Sequence, residues 1–147
     1  MATLVKALRS GDYTQGFGVL KQRMSPTLGG QVVHCCEGVA CEIAGPAIGY
    51  YETPQVQLSG RVRFYFGRDT EVKSWAAMPQ DVADYFGFES DSREVGRIVR
   101  MPEGKGLRGQ PQYSPFFGTL SLPVVNDDFM LTFDQIADLI EWYYLSV

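Results

Sequence analysis

The eleven residues His34-Cys35-Cys36-Glu37-Gly38-Val39-Ala40-Cys41-Glu42-Ile43-Ala44 contain the only histidine of the chain and all three of its cysteines. Cys36, Val39, Ala40 and Ile43 recur at three- and four-residue spacing. That is the period of a helix with one apolar stripe, and it predicts a helix from Cys35 to Ala44. Glu37 and Glu42 fall away from the stripe, and Gly45-Pro46 is expected to stop the helix. Gly38 costs roughly 1 kcal/mol against alanine inside a helix, so its presence there predicts close packing against another backbone.

Two readings compete for His34, Cys35, Cys36 and Cys41. One is a metal site, or a thiol nucleophile with His34 as its base. Against it, neighbouring helical residues point about 100° apart, and the Cys-x-x-Cys or His-x-x-x-His spacing of zinc sites is missing. The other is that the cysteines serve as small apolar core residues, free cysteine being among the most buried residue types. An odd number of cysteines, two of them adjacent, argues against a disulfide framework and for a reducing compartment.

Working outward, 147 residues suit one globular domain spanning 1–147. A net charge of −4 argues against a general nucleic-acid binder, which needs a basic face for phosphates. Nor does any apolar run reach the ~18 residues of a membrane span. On the N-terminal side, Leu4, Val5, Ala7 and Leu8 predict a short helix from Thr3 to Ser10, with Thr3 as N-cap and Gly11 as C-cap. Extended chain around residues 17–22, turns at Ser25-Pro26 and Gly29-Gly30, and a return strand Gln31 to His34 complete a hairpin that leads into the cysteine helix.

Several of these segments carry a resemblance. Gly11-Asp12-Tyr13-Thr14-Gln15-Gly16-Phe17-Gly18-Val19-Leu20, Cys35-Cys36-Glu37-Gly38-Val39-Ala40-Cys41-Glu42, Asn126-Asp127, and Phe133-Asp134-Gln135-Ile136-Ala137-Asp138-Leu139-Ile140-Glu141 follow in order. The pattern resembles a group of small uncharacterised proteins common in bacteriophage genomes. Their usual form is Gly-x-Tyr-x-Gln-Gly, Cys-Cys-Leu-Gly-Val-x-Cys and a C-terminal Ile-Ala-Asp-x-Ile-Glu. The stretch Met78-Pro79-Gln80-Asp81-Val82 to Gly87 extends it into the middle. The resemblance implies a viral origin and supplies no catalytic residue. Glu37 replaces the usual leucine, so that face of the helix is expected to be more exposed here.

Beyond Pro46, Val56 and Leu58 lead through Ser59-Gly60 into Arg61-Val62-Arg63-Phe64-Tyr65-Phe66, a β-hairpin signal. Val62, Phe64 and Phe66 should share one face and Arg61, Arg63 and Tyr65 the other, as in a strand covered on one side. Thr70 to Ser74 offers a third strand. A helix should follow from Pro79 to Phe86, with Val82, Tyr85 and Phe86 inward and Gly87 as C-cap. Arg97 to Met101 and Gly118 to Val125 are candidate strands, the second limited by Pro123. Thr132 and Gln135 form a capping-box pair opening a last helix with Phe133, Ile136, Ala137, Ile140 and Tyr144 as its stripe. The expected fold is therefore α+β, three or four helices on a small, mainly antiparallel sheet.

For function, Arg97, Arg100, Lys105 and Arg108 frame a glycine-rich loop that is either a solvated loop or an anion site for a phosphorylated or nucleotide-like ligand. The loop lacks Gly-x-x-x-x-Gly-Lys-[Ser/Thr]. Asn126-Asp127-Asp128 reads as a turn ahead of the last helix rather than a cation site. No Gly-x-Ser-x-Gly elbow accompanies the single histidine, and no motif asks for a cofactor. Trp142, Tyr143 and Tyr144 are the expected contact surface, because interfaces favour aromatic residues. These features point to an accessory protein that works by binding rather than by turnover. Its partner would be a host or phage protein, or a second copy of itself. Host cytoplasm is the expected location, with the virion also compatible, and counter-defence is suggested only by the phage resemblance. A pocket for a phosphorylated ligand and a thiol or metal site at His34, Cys35, Cys36 and Cys41 are the alternatives.

Overall fold

The computed structural model describes residues 1–68, 73–88, 98–101 and 118–145, with backbone alone at 98–101, 118–120 and 143. Among these residues the fold is α+β, with four α-helices and a four-stranded antiparallel sheet. Helix α1 spans Ala2–Arg9, strands β1 and β2 span Lys21–Arg23 and Val32–His34, and α2 spans Cys36–Ile48. Strands β3 (Tyr51–Val56) and β4 (Val62–Gly67) follow, then α3 (Gln80–Phe86), β5 (Ile98–Met101), β6 (Gly118–Ser121) and α4 (Phe133–Ile140).

Helix α2 is the centre of the core. Residues Cys36 through Cys41 are all buried, so the helix has no single apolar stripe. Glu37 is only 1% exposed, which corrects the expectation that its side would face solvent. Its carboxylate sits in the first turn, where the positive end of the helix dipole favours it. A Cβ on Gly38 would lie 1.7 Å from the Leu20 carbonyl oxygen, so only glycine permits this contact between helix and chain. The helix also runs past Gly45-Pro46 to Ile48. Proline removes one rung of the ladder, but burial fixes Ala44 and Gly45 ahead of it. Gly49, left-handed at φ 76°, ends the helix, and the Gly45 carbonyl accepts from both Gly49 and Tyr50 N–H.

The sheet order is β2-β1-β4-β3, with Lys21 opposite His34, Gln22 opposite both Val33 and Arg63, and Gln55 opposite Arg63. Phe64 and Phe66 enter the core and Val62 packs against it, as the alternation predicts. The opposite face carries Gln22, Arg63, Tyr65, Thr53 and Gln55, of which Thr53 and Gln55 are exposed and the rest half-buried. Ser74 bridges Phe66, and residues 70–72 of the expected third strand lie outside the described residues.

Elsewhere, Leu4, Val5 and Leu8 are buried, but α1 starts at Ala2 after Met1 and its C-cap is Ser10, so neither Thr3 nor Gly11 is a cap. In α3, Val82, Ala83 and Phe86 face inward while Tyr85 is half exposed, and Gly87 closes the helix at φ 82°. Strands β5 and β6 pair with each other in a second sheet. The expected strand to Val125 stops at Ser121, and Val124–Asp128 forms a wide helical turn. Pro123, with φ −58° and ψ −39°, directs the chain into that turn. Helix α4 has the capping box: Thr132 Oγ1 accepts from Gln135 N–H, and Gln135 Oε1 accepts from Thr132 N–H.

Candidate functional site

The His-Cys-Cys segment is spent on the interior. Cys35 is the N-cap of α2, its sulfur accepting the Gly38 N–H at 3.4 Å. Burial, reinforced by the Glu37 charge, pushes the Cys35 thiol up to about 12. Cys36 is wholly buried, is raised well above the usual thiol range by desolvation, and donates to the Leu122 carbonyl at 3.7 Å. Cys41 is buried as well. Protonated, enclosed thiols are poor nucleophiles and poor ligands. Among the described residues no group of three His, Cys, Asp or Glu side chains is placed to hold a metal.

His34 turns to a different set of partners. Its Nε2 lies 3.1 Å from Glu42 Oε1, and its ring stands edge-on to Tyr13 at 5.1 Å between centroids. Lys21 on the neighbouring strand reaches both Glu42 and Glu52, at 2.5 and 2.7 Å, and lies over the Phe64 ring at 4.6 Å. The His34 hydrogen bond, with Lys21, lowers the Glu42 carboxyl to about 2 against the opposing effect of burial. Burial pushes the Lys21 ammonium down, but its hydrogen bonds to Glu42 and Glu52 more than offset this and the net shift is upward. Tyr13 is raised by burial and by the Glu42 charge. His34, Lys21, Glu42 and Glu52 thus pair with one another between the inner sheet face and α2, while His34 Nδ1 is buried without a hydrogen-bond partner among the described residues.

The short motifs of the phage resemblance meet in space. Asn126 is fully buried: its Oδ1 accepts from Gln15 Nε2 at 3.0 Å and from the Cys36 N–H at 3.2 Å, and its Nδ2 donates to the Gly16 carbonyl at 3.0 Å. Gln15 Nε2 also donates to the Leu131 carbonyl, and Asp127 accepts from both Asn126 Nδ2 and Gly18 N–H. Gln15-Gly16, Cys36 and Asn126-Asp127 therefore form one hydrogen-bonded knot that ties the N-terminal loop to the start of α2 and to the turn before α4. The expected turn ahead of the last helix is present, and Asn126 within it is buried rather than solvated. The missed signal was polar residue types recurring in short motifs far apart in sequence, as a shared buried network requires.

The expected binding residues fare differently. Arg97, Lys105 and Arg108 lie outside the described residues, and Arg100 lies on β5 opposite Thr119. Among the aromatics, Trp142 is 37% exposed and Tyr143 lies in the wide turn that continues α4. Tyr144 packs against the core, edge-on to Phe88 at 5.3 Å.

A concave surface that sequence reasoning did not single out lies on the outer sheet face. This groove of about 550 Å³ is lined by Phe17, Gly18, Leu58, Arg61, Arg63 and Trp75, with Val19, Gln22, Gln57 and Ser59. Its volume falls in the range of ligand-binding clefts. Arg63 Cζ stacks 3.8 Å from the Trp75 ring centre, and Phe17 and Leu58 are exposed. The Leu20 N–H donates to the Trp75 carbonyl at 2.8 Å, anchoring the aromatic segment to the sheet. The alternation of Arg61, Arg63 and Tyr65 against Phe64 and Phe66 was the available clue to this face. Arrival of Trp75 beside it depends on tertiary structure.

Comparison with protein-family models, with curated proteins and with solved structures finds no match. No helix among the described residues is long and apolar enough to cross a membrane.

Proposed function

We infer that this chain is an accessory protein of phage type that works in the host cytoplasm by binding a partner protein rather than by turnover. The observation that carries this reading is the groove on the outer sheet face, with its stacked Arg63–Trp75 pair and exposed Phe17 and Leu58. Aromatic and arginine side chains at the centre of a concave surface are the usual anchors of protein interfaces. The interior contributes indirectly. Its histidine and thiols are enclosed and bonded to the fold, so the His-Cys-Cys segment offers no accessible thiol beside a base.

A photo-cross-linking residue placed at Leu58, compared with one at exposed Ala47 on α2, tests the reading in host cells. The expected result is a defined protein adduct from position 58 alone that disappears when Trp75→Ala is added. Equal labelling from both positions, or an adduct indifferent to Trp75, would contradict it.

A further inference from the structure

The charges around the groove define what it takes. Arg9 is held by Asp138 and Glu141, Lys21 by Glu42 and Glu52, and Arg68 by Asp81. Among the described residues, Arg61 and Arg63 have no carboxylate partner and no acidic side chain lines the groove. In a chain of net charge −4 this is a local reversal of sign. Asp127, whose carboxylate accepts from the N–H of the groove residue Gly18, is also committed to Asn126. Stacking on Trp75 also fixes the plane of the Arg63 guanidinium while leaving its N–H edge available for a carboxylate in bidentate geometry.

Binding by strand addition is disfavoured. The Gln57 N–H donates to Arg61, so alternate residues Gln55, Thr53 and Tyr51 bond to β4 and Pro54 faces the free edge, where it has no N–H to offer. At the other edge His34 is bonded to Thr14 and Gly16. A partner must therefore be recognised by side chains in the groove.

Resting on the binding reading above, we propose that the groove takes an acidic segment of a partner protein, a carboxylate seated on Arg61 and Arg63 and an apolar side chain against Phe17 and Leu58. Leu58 is fully exposed at the turn between β3 and β4, and Phe17 is 43% exposed, so together they offer the apolar contact that arginines alone lack. Fully solvated rim charges contribute mainly to encounter rate, whereas a carboxylate on the stacked Arg63 also lengthens the residence time.

The test is a titration of the isotope-labelled full chain, followed by amide and indole NMR signals. The probes are an eight-residue peptide alternating glutamate with leucine, the same peptide with lysine for glutamate, and a short oligothymidylate. The acidic peptide should move the signals of Gly18, Gln22, Arg61 and the Trp75 indole, and Arg61→Ala with Arg63→Ala should weaken it at least about tenfold. The lysine peptide should leave those signals in place. Arg61→Glu alone, at an exposed position that leaves the fold intact, should also weaken binding. Shifts located elsewhere, equal binding of the lysine peptide, or tighter binding of the oligothymidylate would overturn the proposal. Its failure is separable from that of the binding reading: a Trp75-dependent protein adduct from position 58, found with no acidic-peptide binding, would sink only the acidic assignment.

Discussion

On the inner face of the sheet Lys21, His34, Glu42 and Glu52 pair with one another beneath α2, and Asn126 gathers Gln15, Gly16 and Cys36 into a buried knot. On the outer face, Arg63 of β4 and Arg61 just ahead of that strand carry their charge into an open groove beside Trp75. The strand period of two separates these roles. Polar groups facing in hold the fold together, and those facing out are available to a partner. The difference gives each class of residue its own expected signature. Inner substitutions should change stability, while groove substitutions should change binding and leave stability nearly untouched.

The largest effect is expected at Gly38. Gly38→Ala drives a methyl group into the Leu20 carbonyl, which belongs to backbone and cannot swing aside, so a loss of about 3 kcal/mol or more is expected by denaturant unfolding. A loss under about 1 kcal/mol would show that α2 does not sit this close to the chain preceding β1. Asn126→Ala follows. It leaves the Cys36 N–H, the Gln15 amide and the Gly16 carbonyl short of a partner at a buried site, for an expected loss of about 3–4 kcal/mol. Near-neutral behaviour would break the contrast between the two faces at its inner end.

These two residues also show what was legible in the sequence. Gly38 was readable as a backbone contact because glycine inside a helix needs a reason, and the capping box at Thr132 and the alternation in β4 were readable because they are local patterns. The buried network of Asn126 was not, because its partners lie about 90 to 110 residues away, and a polar residue beside two aspartates reads as a turn and nothing more. Glu37 misled for a similar reason: periodicity assumes one buried side, whereas α2 is surrounded through its first turns. Pro46 misled by a general rule about helix interiors that burial and the Gly49 cap override near a C-terminus. The groove escaped because Phe17, Leu58 and Trp75 come from three loops that only the folded sheet brings together.

A smaller effect, with a pH signature, is expected at Glu42. Its carboxyl is lowered to about 2 in the folded chain, so its contribution is fully present above the unfolded carboxylate range near 4.3 and is lost as pH falls toward 2. Glu42→Gln should cost about 1–3 kcal/mol at pH 7 and flatten the fall in stability between pH 5 and 2. An unchanged acid limb would mean that His34 and Lys21 do not hold this carboxylate. At the other end of the scale, Arg61→Ala, at an exposed position, should move stability by no more than about 0.5 kcal/mol, and Arg63→Ala, which removes the stacking on Trp75, by about 0.5–1 kcal/mol.

The most direct test measures both signatures on that double variant, with the unfolding midpoint and the affinity for the glutamate–leucine peptide determined on the same sample. An unfolding midpoint close to that of the unaltered chain, together with binding at least about tenfold weaker, is the predicted result. A variant that unfolds early, or one that keeps full affinity, would contradict the division of labour between the two faces of the sheet.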